Sequence, residues 1–258
     1  MQSVYETLSA WDVFGMLERY IASGEFVVTK DWKVVPKPMV NSVTKQDVFV
    51  GYPEGRECYL WALYFDAAKI IPKGCRGCRK VFLRTRSVAD AFRLVELMQK
   101  QREETGISGK VGMEQRPYTG NRGGFRAAWY VKQEVDDFEA KNIARRIFGE
   151  VEAALEHPYG IMLKRGCTEM EMRYSPSSQW ERFATASGWD VVEDLLDSVV
   201  EKPEPLVGDS TAITVNVKRR WIEHAFENGD ETYLEFTGGR PLSPPPEKID
   251  LGAGLVVL

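Results

Sequence analysis

"KVFLRTRSVADAFRLVELMQKQREETG", residues 80–106, changes its period once, and the fold class turns on where it changes. Residues 80–86 alternate as a strand does, successive side chains pointing to opposite faces. At Ser87 the pattern becomes helical. Ser87 and Asp90 make a capping box, Val88, Phe92, Val95 and Met98 or Gln99 recur at three-to-four spacing, and Gly106 supplies the stop. A strand therefore runs directly into a helix.

The same reading extends outward in both directions. Downstream, "KVGMEQRPY" (110–118) and "FRAAWYVKQ" (125–133) read as two strands around the turn "TGNRGG", and "VDDFEAKNIARRIFGEVEAALE" (135–156) as a helix. Phe138, Ile143, Ile147, Val151 and Leu155 are expected on one face of that helix. "GIMLKRGCTEMEMRY" (160–174) follows as a strand or hairpin, and "YLWALYFD" (59–66) reads as a strand upstream. With one early strand set aside as peripheral, residues 58–174 spell βαββαβ. That order is the ferredoxin-like arrangement, an antiparallel sheet with two helices on one face, and the class is α+β.

The flanks are less regular. Residues 1–57 hold an amphipathic helix over 3–22, ended by Gly24, and a proline-broken segment with one or two edge strands. Residues 175–200 read as a helical pair, "SSQWERFATA" and "WDVVEDLLDSVV". Residues 201–258 form an acidic C-terminal extension of mixed helix and strand: the linker "EKPEPLVGD", a strand, short helix and strand over 211–236, and a proline-rich tail.

A chain of 258 residues, 43% hydrophobic and 28% charged, is that of a globular protein with room for one large core or two small ones. No apolar run approaches the ~20 residues of a membrane helix, and the N-terminus "MQSVYETLSAWDV" does not read as a secretion signal. A cytoplasmic protein without a membrane partner is expected. The net charge of −4 hides an asymmetry: residues 1–186 hold 28 Lys+Arg against 24 Asp+Glu, a balance of +4, which leaves −8 for residues 187–258. Such blocks suit a basic face for polyanions and an acidic one for a protein neighbour, or else simply a solvated acidic tail.

The four cysteines, Cys58, Cys75, Cys78 and Cys167, are too few for a disulfide framework in a chain of this length. Redox chemistry would place Cys75-x-x-Cys78 at a helix N-terminus, whereas "RKVFLRT" continues as a strand. Glycine before each of the pair permits a tight turn that aims two thiolates at one ion, and Cys58 and Cys167 would complete a structural Zn²⁺ site. The alternatives are the pair with another ligand such as His157, or small buried thiols with no metal.

Basic residues gather around this motif. Lys73, Arg76, Arg79, Lys80, Arg84 and Arg86 occur with no acidic residue among them, and Arg84 and Arg86 would share one strand face as phosphate contacts. The turn "RPYTGNRGGFR" adds Arg116, Arg122 and Arg126, with Tyr118 and Phe125 as candidates to stack on unpaired bases. An ordinary hairpin with solvated arginines is the competing explanation. Glu169 and Glu171 would share a face on a strand, either as a carboxylate pair or as partners of nearby arginines. The chain has no P-loop, no dinucleotide fingerprint, no nucleophile elbow and no zincin motif, and its two histidines give no catalytic pair. These observations favour a zinc-stabilised nucleic-acid-binding protein, a non-catalytic subunit of a larger complex. The alternative is a small α/β enzyme or ligand-binding protein without a recognisable catalytic motif.

The small cysteine loop between Cys58 and "CRGC" (75–78), a ferredoxin-like core and arginine-rich loops together resemble subunits of CRISPR effector ribonucleoproteins, nearest the small cysteine-containing large subunit of type IV complexes. The resemblance implies binding of guide RNA and target DNA, with reading of the protospacer-adjacent motif. It assigns no role to any single residue.

Overall fold

The computed structural model describes residues 13–24, 26–28, 30, 34–36, 47–51, 71, 73–114, 123–131, 135–156, 158–166, 171, 176–182, 190, 193–194, 198, 211–242, 249–250 and 256–257. In chain order, helix α1 (Val13–Ala22) precedes the antiparallel ribbon of β1 (Phe26–Val28) and β2 (Val34–Pro36). Strand β3 (Asp47–Val50), the one-turn helix α2 (Lys73–Arg76), β4 (Arg79–Thr85), α3 (Val88–Thr105), β5 (Gly109–Met113), β6 (Phe125–Val131), α4 (Asp137–Ala154) and β7 (Tyr159–Arg165) come next. A 3₁₀ segment (Ser177–Arg182), helix α5 (Thr211–Glu227), a second 3₁₀ segment (Glu231–Phe236) and a short ribbon of β8 (Ile249–Asp250) and β9 (Val256–Val257) complete the elements.

Five strands form one sheet in the order β3-β5-β6-β4-β7, every neighbouring pair antiparallel. The class is α+β. Helix α3 carries the chain from β4 past β6 to β5, and α4 carries it from β6 past β4 to β7. Strand β3, from the proline-broken segment in which one or two edge strands are expected, lies on the sheet edge beside β5.

Period-two alternation decides what each strand buries. Val81, Leu83 and Thr85 of β4 are buried, as are Phe125, Ala127, Trp129 and Val131 of β6. All but Thr85 join Leu94, Val95 and Met98 of α3 and Ala140, Ala144, Ile147 and Val151 of α4 in one core. Each large side chain so buried contributes about 1.5–3 kcal/mol. The indole N–H of Trp129 donates to Gln101 Oε1 at 2.6 Å and Gln101 Nε2 donates to Glu150 at 2.5 Å, so these two buried polar side chains are satisfied beneath the sheet. Helix α3 has the expected ends: Ser87 Oγ accepts the Asp90 N–H at 3.2 Å, and Gly106, at φ 72°, donates its N–H to the Arg102 carbonyl.

On α4, Phe138 is 72% exposed instead of joining the apolar face. It lies nine residues before Ile147, half a turn out of phase at 100° per residue, so the inward stripe is Ala140, Ala144, Ile147 and Val151.

Residues 211–236 differ from the expected strand, short helix and strand. Thr211–Glu227 is one helix of 17 residues, and Glu231–Phe236 is a 3₁₀ segment. Ile213, Thr214, Val215 and Val217 give the first half strand-like composition, but Val217, Trp221 and Ala225 recur every four residues and all three are buried in the main core. Packing overrides the β-branched preference. Trp221 meets Phe92 and Phe125 edge-on, each with centroids 5.9 Å apart. Asp230 then reaches the start of α3: its Oδ2 accepts the Val88 N–H at 2.6 Å, and Thr232 Oγ1 accepts the Ala89 N–H at 3.2 Å. Residues 211–242 are thus bound into the core. Of "SSQWERFATA", the described part, Ser177–Arg182, is 3₁₀ and not α. The strand expected over 59–66 and the linker over 201–209 lie outside the described residues. No helix among the described residues is long and apolar enough to cross a membrane.

His224, on α5, sits with its ring 5.8 Å from that of Phe125, and burial holds its pKa below the ordinary value of 6.5, against the opposing pull of the Glu227 and Asp230 carboxylates. The unfolded chain therefore binds the proton more readily than the folded one. Stability is insensitive to this group above pH 6.5 and falls as the pH drops from there through the lowered value. Urea midpoints measured downward from neutrality are expected to decline in this window for the native protein and to decline less for His224→Gln.

Candidate nucleic-acid interface

The side chains that alternate with the core residues form the opposite face of the sheet. Three rows cross it. Lys164, Lys80 and Tyr130 make the first; Met162, Phe82, Ala128, Lys110 and Phe49 the second; Arg84, Arg126, Gly112 and Asp47 the third. Tyr159 stands opposite Arg84 across an irregularity in the β4–β7 ladder.

Cations lie over aromatic rings along this surface. Lys80 Nζ is 5.4 Å from the centroid of Tyr130, Arg84 Cζ is 5.3 Å from that of Phe82, Lys110 Nζ is 5.5 Å from that of Phe49, and Arg86 Cζ is 5.6 Å from that of Tyr159. Each contact is worth about 0.5–1 kcal/mol at a wet site and holds the long side chain against the sheet. Lys110 pairs with Asp47 at 2.6 Å, Arg126 with Asp47 at 3.4 Å, Arg84 with Glu114 at 3.7 Å, and Lys164 with Glu171. Among the described residues of this face the six cations Lys80, Arg84, Arg86, Lys110, Arg126 and Lys164 outnumber the carboxylates Asp47, Glu114 and Glu171. Burial raises the Tyr159 phenol pKa above 10.0 despite the neighbouring Arg86 and Arg84, so this hydroxyl is a neutral donor at pH 7. Asp47, Phe82, Lys110, Gly112, Arg126 and Ala128 line a small depression at the centre of the face.

Of the residues expected to bind nucleic acid, Lys80, Arg84 and Arg126 come together here, with Arg86 exposed at the rim. Arg86 lies over the ring of Tyr159, the register partner of Arg84. Phe125 does not belong to this face: it is fully buried among core residues against Trp221 and His224, so it cannot stack on a base. Strand parity puts it on the helix side with Ala127 and Trp129. Arg76 pairs with Asp190 at 2.6 Å, and Arg79 bonds the Val135 carbonyl at 3.1 Å and pairs with Asp137, so both tie the cysteine turn to neighbouring segments. Lys73 begins α2. Arg116, Tyr118 and Arg122 lie outside the described residues. Phe82, Lys110, Tyr130 and Tyr159 went unrecognised, although Phe82 and Tyr130 share the parity of Lys80 and Arg126 in their own strands.

The cysteine pair is held as a unit. Cys75 and Cys78 are both buried and not in a disulfide, and the Cys78 N–H donates to the Cys75 carbonyl at 3.2 Å, closing one turn after the short helix. Two bonds fasten this turn to the end of β7: the Gly166 N–H donates to the Cys78 carbonyl at 2.7 Å, and Arg165 Nε donates to the Arg76 carbonyl at 2.8 Å. Gly166, at φ 67°, immediately precedes Cys167 in the sequence. Cys58, Cys167 and His157 lie outside the described residues, and among the described ones no three His, Cys, Asp or Glu side chains stand together.

No protein-family model, no curated protein and no solved structure matches the chain.

Proposed function

We propose that this chain is a zinc-stabilised nucleic-acid-binding protein whose binding surface is the sheet face opposite the helices. The observation that carries the reading is the clustering of Lys80, Arg84, Lys110, Arg126 and Lys164 around half-buried Phe82 on one face. Cations supply the sequence-independent attraction to phosphates, and a central aromatic with exposed Met162 beside it offers an apolar platform for unpaired bases. The connectivity β4-α3-β5-β6-α4-β7 and the order β5-β6-β4-β7 support the ferredoxin-like arrangement, an antiparallel sheet with its two helices on the other face.

The thiols of Cys75 and Cys78, set one turn apart, and the staple at Gly166 fit a tetrahedral thiolate site completed by Cys58 and Cys167. Bound Zn²⁺ would cross-link the turn before β4 to the end of β7, a structural role. The resemblance to type IV CRISPR subunits extends the proposal to guide RNA or target DNA within an assembly, the acidic residues among 187–258 meeting a protein neighbour.

Fluorescence anisotropy with single- and double-stranded oligonucleotides at two salt concentrations tests the reading. Phe82→Ala is expected to weaken single-strand binding by about 1–3 kcal/mol, the worth of one stacked base. Lys80→Gln is expected to lower the salt slope by about one phosphate. Wild-type protein that binds neither form at low salt would remove the proposal.

A further inference from the structure

The third row of the open face contains an arrangement that folding does not favour. Arg84 and Arg126 are direct cross-strand partners, two like charges opposed on one sheet face, a placement that destabilises a ladder. Neither is fully compensated. Arg84 Nε stands 3.7 Å from Glu114 and Arg126 Nη2 3.4 Å from Asp47, while the Nε atoms of both arginines are buried without a hydrogen-bond partner. A buried guanidinium donor left unmatched is costly unless a ligand completes it.

The neighbouring positions lack side chains. Gly112 is the register partner of Arg126 on one side, and Gly160 adjoins Arg84 on the other, where an added Cβ would stand 3.8 Å from Arg84 Nη1. Glycine within a strand marks a place where a ligand can approach the backbone closely. Gly112 and Arg126 line the depression together with Asp47, Phe82 and Lys110, and Arg86 lies over the ring of Tyr159, the register partner of Arg84.

The geometry points to a phosphate-binding subsite formed by Arg84 and Arg126, with Arg86 and Tyr159 at its edge, on the face already proposed to bind nucleic acid. Two planar guanidinium forks suit the oxygens of a tetrahedral oxyanion, and a neutral phenol can donate to a third. Among the described residues, Arg84, Arg86, Lys110 and Arg126 against Asp47 and Glu114 leave an excess of positive charge for the anion. The phosphate can be the terminal monoester of a strand or an internal diester.

The proposal rests on the nucleic-acid reading, and the test separates the two. Anisotropy is measured with one single-stranded oligonucleotide carrying either a 5′-phosphate or a 5′-hydroxyl, and thermal melting is followed with inorganic phosphate. Arg84→Gln and Arg126→Gln are each expected to weaken oligonucleotide binding about tenfold and lower the salt slope by about one, while Lys100→Gln on the exposed side of α3 changes neither. Phosphate is expected to raise the melting temperature of wild type but of neither arginine variant. Tighter binding of the phosphorylated strand supports the monoester; equal binding, lost equally in the variants, supports the diester. Arg126→Gln, whose partner Asp47 keeps Lys110, should melt at or above wild type, since an opposed pair of charges is relieved, and a clear fall there assigns the pair a structural role and overturns the subsite. Arg84→Gln also removes the guanidinium beside buried Glu114 and is read by binding alone. Wild-type affinity and slope in both variants overturn the subsite and leave the face reading intact. Arginine-dependent protection by phosphate without oligonucleotide binding keeps the subsite and overturns the nucleic-acid reading.

Discussion

Trp221→Ala is expected to lower the stability of the protein by about 3–5 kcal/mol, the range for truncating a fully buried tryptophan. Trp221 has no exposed surface and joins α5 to α3 through Phe92 and to the sheet through Phe125. In a chain of this size the loss corresponds to a fall in melting temperature of roughly 6–20 °C. Its second effect is more diagnostic. The N-terminal amides of Val88 and Ala89 are satisfied by Asp230 and Thr232, which follow directly after α5, so loosening the helix uncaps α3. Hydrogen exchange at 88–91 should accelerate in Trp221→Ala more than exchange at 94–98 deeper in the same helix. Uniform acceleration along α3 would instead mean that α5 and the core open only together.

This coupling explains why the C-terminal part was harder to read than the centre. The ends of α3 were legible at Ser87 and Gly106 because a cap is settled within four residues. The sequence order of strands and helices from β4 to β7 was legible because each keeps its own period. Helix α5 is another matter. Its composition around Ile213–Val217 favours a strand, and only the packing of Val217 and Trp221 into a core built from residues distant in the sequence, such as Phe92 and Phe125, makes it a helix. The candidate site shows the same division. "FRAAWYV" carries Phe125, Ala127, Trp129 and Val131 at one parity and Arg126, Ala128 and Tyr130 at the other, so alternation already favours Phe125 on the helix side, whereas which residues of other strands share a face with Arg126 is not stated locally. Register with β4 resolves it, and with it which aromatics can meet a ligand. The motif Cys75-x-x-Cys78 was visible at once, but its fastening to Gly166 depends on β7 lying beside β4, a pairing the sequence does not spell out.

Gly166→Ala carries the second large expectation, because two costs fall on one atom. At φ 67° a residue with a Cβ pays roughly 1–2 kcal/mol for the left-handed conformation. That Cβ would also stand 2.1 Å from the ring of Trp180, which is fully buried and cannot swing outward without opening its surroundings. Overpacking of this kind adds about 1–3 kcal/mol. The total, about 2–5 kcal/mol, should appear as a lower urea midpoint. The clash and the backbone conformation separate in a double-mutant cycle. Trp180→Ala alone leaves a cavity; combined with Gly166→Ala it removes the clash but not the φ penalty, so the double variant should be more stable than the sum of the single losses predicts. Zinc content gives the second readout. With the Gly166 amide displaced, the bond to the Cys78 carbonyl that sets the turn beside β7 is weakened, and a site drawing on Cys75, Cys78 and Cys167 should hold Zn²⁺ less tightly. Purified wild type is expected to carry one zinc per chain, Cys78→Ser none, and Gly166→Ala to lose its metal to a chelator faster than wild type. Wild type free of zinc, with melting unchanged by added metal, would leave the staple at Gly166 as a packing feature alone.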